Sequence, residues 1–88
     1  MNEKDLEKIL KAVANQRRLK ILKYLKRVGS ASVGDITEEI KLSFKSTSKH
    51  LAILFSISIV EKEQINLSMF YFLSKSPHPI VKKLLSIL

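Results

Sequence analysis

The stretch LSFKSTSKHLAIL, residues 42–54, decides how the rest of the chain is interpreted. Ser43 is placed to cap a helix, because its hydroxyl can accept a hydrogen bond from the backbone of the first turn. At 3.6 residues per turn, the larger apolar side chains and one threonine share the inward face. They are Phe44, Thr47, Leu51, Leu54 and Phe55.

The outward face of the same helix is short-chained, polar and positive. It holds Lys45, Ser46, Lys49 and Ala52, and no acidic residue occurs anywhere between positions 43 and 60. A helix that meets only solvent usually mixes both signs of charge. A helix in the DNA major groove needs small residues for close approach and cations for phosphates and guanine edges. We therefore predict a DNA recognition helix over residues 43–55, with a plain amphipathic helix carrying two surface lysines as the alternative.

Length and charge point to one small domain with a polyanionic partner. The chain has 88 residues, with 16 Lys and Arg against 8 Asp and Glu, and a net charge of +8. This balance favours nucleic acid or an acidic membrane surface. The absence of cysteine excludes disulfides and thiolate metal sites. The N-terminus lacks an apolar signal region, and residues 51–60 are too few to span a bilayer, which needs about 18. We expect a single cytoplasmic domain over residues 1–88.

Two helices are predicted before the central stretch. Residues 2–14 carry a narrow apolar stripe at helical spacing. Asn15 resembles the cap of a second helix over residues 16–28, which stops before Gly29. The buried face of this second helix is predicted to be Leu19, Ile21, Leu22, Leu25 and Val28. Its other face is basic throughout: Arg17, Arg18, Lys20, Lys23, Lys26 and Arg27. These cations repel one another, so either a solvated face or a nearby phosphate backbone explains them.

A short third helix is predicted behind the recognition helix. Ser32, followed three residues later by Asp35, approximates a capping box for a helix that ends near Lys41. Its glutamates, Glu38 and Glu39, are expected to face solvent, away from phosphates. A turn at residues 41–42 then joins two short helices into a helix-turn-helix unit.

The remaining chain is predicted to form a hairpin and a terminal helix. Residues 57–64 alternate and residues 67–73 are rich in aromatic side chains, with Asn66 suited to a left-handed turn between them. This hairpin, the wing, is expected to pack through Phe70 and Phe72 or their neighbours, and Tyr71 is interpreted as packing rather than base stacking. Ser76 and two prolines then start an apolar helix.

The fold class is therefore mainly α with a small β-hairpin, a winged helix-turn-helix in the order α1-α2-α3-α4-β-β-α5. The tail is too apolar for the surface of so small a monomer, and apolar patches of this kind mark interfaces. We expect a homodimer formed by the terminal helices, at about residues 3–14 and 78–88. The predicted interface residues are Leu6, Ile9, Leu10, Val13, Ile80, Val81, Leu84, Leu85, Ile87 and Leu88.

The segments AVANQRRLKILKYL (12–25), SVGDITEEI (32–40) and LSFKSTSKHLAIL (42–54), with the Ile-Val pair at 59–60, resemble the ArsR-type winged helix-turn-helix repressors. The resemblance spans most of the chain. It implies a dimeric DNA-binding transcription regulator, with the recognition helix in the major groove and the wing near the phosphates.

Some family features are missing from this sequence. Metal-sensing members carry a cysteine pair where this chain has Ser32 and Gly34, and zinc-binding members use histidine with acids in the terminal helix, where only His78 stands. Phe44 replaces a polar residue that the family directs at bases. Phe44 can contact a thymine methyl group, but it cannot make a bidentate hydrogen-bonded contact to adenine. Ser58 stands where a glycine is usual. We expect DNA binding without metal sensing and without a cofactor.

The leading prediction is a dimeric, sequence-specific regulator, a repressor, on a palindromic operator with half-sites about 10 base pairs apart. Lys45 and Lys49 would touch base edges or phosphates, and three serines would fix the register. The predicted DNA contacts are Ser43, Phe44, Lys45, Ser46, Ser48, Lys49 and His50, with Arg17, Arg18 and Lys62 on the backbone. His50 is assigned a packed or phosphate-directed role rather than metal ligation.

Two other functions compete with this prediction. A winged-helix module that binds another protein would use Phe44, the polar-poor wing and the apolar tail. A membrane-surface role for the second helix is weaker, because its apolar face is needed for the core. The sequence has no glycine-rich phosphate loop and no pair of carboxylates on one face with a raised pKa, so we do not expect an enzyme. No effector is indicated.

Overall fold

Five helices and three strands make up the computed structural model, which describes residues 2–88. The elements are α1 (Glu3–Val13), α2 (Gln16–Val28), β1 (Ser30–Ser32), α3 (Val33–Ile40), α4 (Phe44–Ser56), β2 (Val60–Ile65), β3 (Ser68–Leu73) and α5 (Pro79–Ile87). The predicted winged helix-turn-helix is confirmed, and α2 has the predicted bounds.

Side-chain caps fix the starts of the helices, as the sequence predicts for three of them. Asn15 accepts from the backbone N–H of Arg18, and Ser32 accepts from that of Asp35, each at 3.1 Å. Both bonds satisfy donors that a helix start would otherwise leave unpaired.

The start of α5 differs from the prediction. His78, not Ser76, is the capping residue, and its Nδ1 accepts from the backbone N–H of Ile80 at 3.2 Å. Pro79 then occupies the first helical position, where its missing N–H costs nothing. The helix therefore begins after the second proline.

The wing belongs to a three-stranded antiparallel sheet in the order β1-β3-β2 rather than to a two-stranded hairpin. The extra strand, β1, pairs with β3 so that Ala31 lies opposite Tyr71. Ala31 is 2% exposed and Tyr71 is 9% exposed, whereas Phe70 and Phe72 are half-buried. Of the three aromatic residues of β3, Tyr71 is therefore the one that packs most deeply, and burial raises the pKa of its hydroxyl.

Within residues 2–88, three residues other than glycine adopt left-handed backbone conformations, and each lies at a chain reversal. Lys41 has φ of 55° between α3 and α4, and Asn66 has φ of 57° in the wing turn, as predicted. Ser58, with φ of 60°, joins α4 to β2. Glycine adopts this region without steric cost, which explains why a glycine is usual at the position of Ser58 in the proteins that the chain resembles.

One core joins the helices to the sheet. Its fully buried large side chains include Ile21, Leu22, Leu25, Ile36, Leu51, Leu54, Ile59, Val60 and Val81. Three residues that were predicted to face inward are instead exposed: Val28 at 44%, Phe55 at 42% and Phe44 at 62%. Phe44 is the first residue of α4, and helical side chains lean toward the N-terminus. Its ring therefore extends past the end of the core.

No helix in residues 2–88 is both long enough and apolar enough to cross a membrane.

Candidate nucleic-acid interface

The helix-turn-helix is formed by α3, a three-residue turn and α4. Lys41 ends α3 in the left-handed conformation, and its backbone N–H donates to the carbonyl of Thr37. Leu42 follows, and Ser43 then starts α4. Lysine thus adopts the turn conformation for which this motif frequently uses glycine.

Ser43 is the N-terminal cap of α4. Its Oγ accepts from the backbone N–H of Ser46 at 3.1 Å, and its carbonyl accepts from Thr47 Oγ1 at 2.9 Å. Thr47 is fully buried, so this second bond ties the helix start to the core. The Ser43 hydroxyl proton is still free to donate, since a hydroxyl can donate and accept at once.

The outward face of α4 presents the predicted charges. Lys45 and Lys49 are exposed one turn apart, and Ser46 and Ser48 are half-buried beside them. The ring of Phe44 adds an exposed apolar surface at the N-terminal end. This face combines two cations, small polar side chains and one large apolar group, which suits contact with phosphates, base edges and a thymine methyl.

Arg18 and His50 connect three helices. Arg18 Nε donates to His50 Nδ1 at 3.1 Å, and Arg18 Nη1 donates to the carbonyl of Ala12 at 3.1 Å. The end of α1, the start of α2 and the middle of α4 are therefore joined by one half-buried guanidinium. Because Nδ1 accepts, the neutral imidazole carries its proton on Nε2. Arg18 orients α4 whether or not its remaining N–H groups contact phosphate.

Burial lowers the pKa of His50 below its ordinary value of 6.5, and the positive charges of Arg18 and Arg17 lower it further. The folded protein thus favours the neutral ring, which is the form that accepts from Arg18. Below pH 6.5 the unfolded chain binds this proton more readily than the folded one, so the free energy of unfolding falls as pH falls toward the folded-state pKa.

We expect His50→Gln to make the free energy of unfolding depend less on pH. Urea unfolding of both proteins between about pH 7.5 and pH 5 would measure it. The wild-type protein should lose more stability over this interval than the variant, because only the wild-type protein loses the imidazole acceptor. Carboxylate titration is common to both and cancels in the difference. Parallel curves would show that His50 protonation is not coupled to folding.

Lys62 is held at the base of the wing. Its ammonium lies 4.5 Å from the centroid of the Phe55 ring at the end of α4. A cation over an aromatic face is attracted by the ring quadrupole. This contact links β2 to α4 and fixes the position of the Lys62 ammonium.

The basic face of α2 is partly neutralised by α3. Arg27 Nη2 lies 3.2 Å from Glu39 Oε1, and both side chains remain substantially exposed. Glu39 therefore faces a cation as well as solvent, which the sequence did not indicate. Arg17, at the other end of α2, is exposed beside the α4 contact network.

The predicted interface residues fall into two groups within the protomer. Ile9 and Val81 are buried in its own core, and Val13, Leu85 and Leu88 pack against that core. Leu10, Ile80 and Ile87 remain 46%, 39% and 75% exposed. This second group has the most surface to offer a second copy, and the half-buried residues offer less: Leu6, Val13, Leu84, Leu85 and Leu88.

Residues 15–62 match the profile of the family described as bacterial regulatory protein, arsR family. The matched segment contains α2, β1, α3, α4 and the start of β2, and therefore the whole helix-turn-helix. The chain belongs to the ArsR family.

A sequence relative agrees with this assignment. The chain is 36% identical over 83 residues to the transcriptional activator HlyU of Vibrio cholerae serotype O1, covering 86% of this chain and 76% of that protein.

Solved structures of similar proteins have the same fold. Reduced HlyU from Vibrio cholerae superposes with a TM-score of 0.83 at 34% identity, covering 99% of this chain and 87% of HlyU. The homodimeric winged helix-turn-helix domain of Mb0332 from Mycobacterium bovis gives a TM-score of 0.81 at 26% identity, covering 96% of this chain and 74% of that one. The transcriptional repressor BigR from Xylella fastidiosa gives a TM-score of 0.78 at 26% identity, covering 97% of this chain and 84% of BigR.

Several contacts at this ArsR-family site had no signal in the sequence. The Arg18–His50 bond joins residues 32 positions apart. Phe55 was predicted to face inward and instead lies under Lys62. Pairing of this kind depends on where α2 and β2 pack, so no local pattern reveals it.

Proposed function

We propose that this ArsR-family chain is a dimeric, sequence-specific DNA-binding regulator of transcription. The observation that supports this most directly is the outward face of α4, where Lys45 and Lys49 are exposed on a helix whose inward face is locked in the core. A rigid helix that presents cations and small polar groups can enter the major groove at a fixed register.

The flanking cations support backbone contacts around this helix. Arg17 is exposed at the start of α2, and Lys62 is held at the wing base by the ring of Phe55. Positions on either side of a recognition helix are where phosphate contacts set orientation. With a net charge of +8, association with DNA should be fast and strongly salt-dependent.

We further propose that two copies bind a palindromic operator and repress transcription. Among the relatives, Mb0332 is described as homodimeric, BigR as a repressor and HlyU as an activator. A domain that occupies a promoter excludes polymerase by volume alone, so repression needs no further contact. In vitro transcription from the operator-bearing promoter would show whether the protein represses or activates transcription.

Fluorescence anisotropy tests the proposal. The DNA upstream of the protein's own gene and a shuffled duplex of equal length would be compared at low and near-physiological salt. We expect the native duplex to keep an advantage of about 10³-fold or more at the higher salt. If both duplexes bind equally and both affinities fall as salt is raised, the positive charge provides only a general attraction for polyanions.

Lys45→Ala should weaken binding to the operator more than binding to shuffled DNA. A specific base-edge contact is worth about 1–3 kcal/mol, so the operator should lose roughly 5- to 150-fold in affinity. Lys4→Ala removes the same charge from the exposed start of α1 and serves as the matched control. If Lys45→Ala lowers both affinities equally, Lys45 contacts only phosphate.

A protein-binding module is the second candidate function. It is favoured by two exposed apolar side chains, Phe44 at 62% and Leu67 at 99% at the wing turn. A stable complex with another protein, together with no salt-dependent DNA binding in the anisotropy experiment, would support it instead.

A further inference from the structure

A groove of about 670 Å³ lies between α2 and α3, away from the outward face of α4. Small-molecule sites in proteins commonly have volumes of about 300–1,000 Å³. The lining residues are Lys20, Lys23, Tyr24, Lys26 and Arg27 of α2, Glu39 and Ile40 of α3, and Leu88.

The groove has a fixed cation and several free ones. Arg27 is held on two sides, by Glu39 at 3.2 Å and by the Tyr24 ring, whose centroid lies 5.3 Å from the guanidinium carbon. Glu39 is the one carboxylate among the lining side chains, and Arg27 occupies it. Lys20, Lys23 and Lys26 form no ion pair within residues 2–88. The groove therefore carries excess positive charge, which attracts an anion.

Next to these cations the groove is apolar. Tyr24, Ile40 and Leu88 are all half-buried and contribute carbon surface to its lining. A small inorganic anion would neutralise the lysines but leave this surface in water. A neutral hydrocarbon would cover the surface and leave the lysines unpaired. Only a molecule with both an apolar body and an anionic group satisfies the two parts of the groove.

We propose that this groove binds a small amphipathic organic anion. The ligand class is an aromatic or branched acyl body carrying one carboxylate, sulfonate or phosphate group. Its anionic group lies among Lys20, Lys23 and Lys26, and its body lies against Tyr24 and Ile40.

The position of the groove connects it to the recognition helix. Ile40 directly precedes Lys41, the left-handed residue of the turn, and Ser43 caps α4 two residues later. A ligand that touches Tyr24 and Ile40 bridges α2 and α3 at the point where the chain enters the turn. It would thereby change the orientation of α4, and this regulatory consequence rests on the proposed DNA binding.

Amide chemical-shift titration of the isotopically labelled full chain with naphthalene-2-sulfonate tests the site. We expect saturable shifts concentrated at the residues that line the groove. The variant Lys20→Gln/Lys23→Gln should weaken binding by roughly tenfold, given the strength of charge-assisted contacts at an exposed site. Lys4→Gln/Lys8→Gln removes two exposed lysines from α1 and should leave the affinity unchanged.

Three results would overturn the proposal. Shifts centred away from α2 and α3 would place the ligand elsewhere. Equal shifts from inorganic sulfate would show that the apolar lining takes no part. Equal binding of neutral 2-naphthol would show that the lysines take no part.

Operator anisotropy with and without naphthalene-2-sulfonate separates the site from the proposed function. Groove shifts in a protein that binds no operator would leave the ligand site standing and remove the DNA-binding proposal. Operator binding without groove shifts would support the DNA-binding proposal and overturn the ligand site.

Discussion

Leu51→Ala lowers the free energy of unfolding by about 2–5 kcal/mol, because Leu51 is fully buried where α4 meets the core. The deleted methine and methyl groups no longer contribute apolar burial on folding, and the surrounding side chains close the cavity only partly. A small domain is stable by about 5–15 kcal/mol in total, so this loss is a large share. The midpoint of thermal unfolding should fall on the order of 10–30 °C.

Leu67→Ala is the matched control for this change. It makes the same chemical substitution at a side chain that is 99% exposed, and it should alter stability by no more than about 0.5 kcal/mol. Both variants would be unfolded at one protein concentration, since the stability of a dimer depends on concentration. If Leu51→Ala lowers the free energy of unfolding no more than Leu67→Ala does, the inward face of α4 is not buried.

The elements that the sequence predicts well are those with local signals. The bounds of α2 follow from an asparagine cap, a stripe of apolar residues and a final Gly29, all within one segment. Ser32 and Ser43 mark the starts of α3 and α4 in the same way. The left-handed turn at Asn66 is likewise a property of the residue itself.

The features that sequence reasoning missed depend on distant parts of the chain. β1 has only three residues and too little periodicity to be recognised, and it exists because β3 pairs with it about forty positions later. The inward stripe of α4 was extended by one residue at each end, to Phe44 and Phe55, where the core no longer covers the helix. Helical periodicity gives the direction of a side chain but not how far the neighbouring layer extends.

The candidate site shows the same division. The exposure of Lys45 and Lys49 follows from helical spacing alone. The bond from Arg18 to His50 and the placement of Lys62 over Phe55 require the tertiary structure. Sequence therefore identifies which side chains face outward, and the fold decides which of them are held in place.

Ile87→Glu should convert the proposed dimer into a monomer and lower operator affinity by about 10²-fold or more. Ile87 is 75% exposed on α5, and a carboxylate in an apolar contact must lose its hydration without a partner. Two linked recognition helices bind a palindrome with an advantage of about 10²–10⁴ over one, and the monomer loses that advantage. Sedimentation velocity would give the oligomeric state, and anisotropy would give the affinity.

Leu67→Glu is the matched control for the oligomeric state, because it places the same carboxylate on a 99% exposed apolar residue in the wing turn, outside both terminal helices. Leu10→Glu, on the 46% exposed position of α1, tests whether the first helix shares the interface. Circular dichroism of each variant separates loss of assembly from loss of folding. If Ile87→Glu and Leu10→Glu both remain dimeric while folded, the terminal helices do not form the interface. If they become monomeric yet keep full operator affinity, the two-fold operator is the part of the proposal that fails.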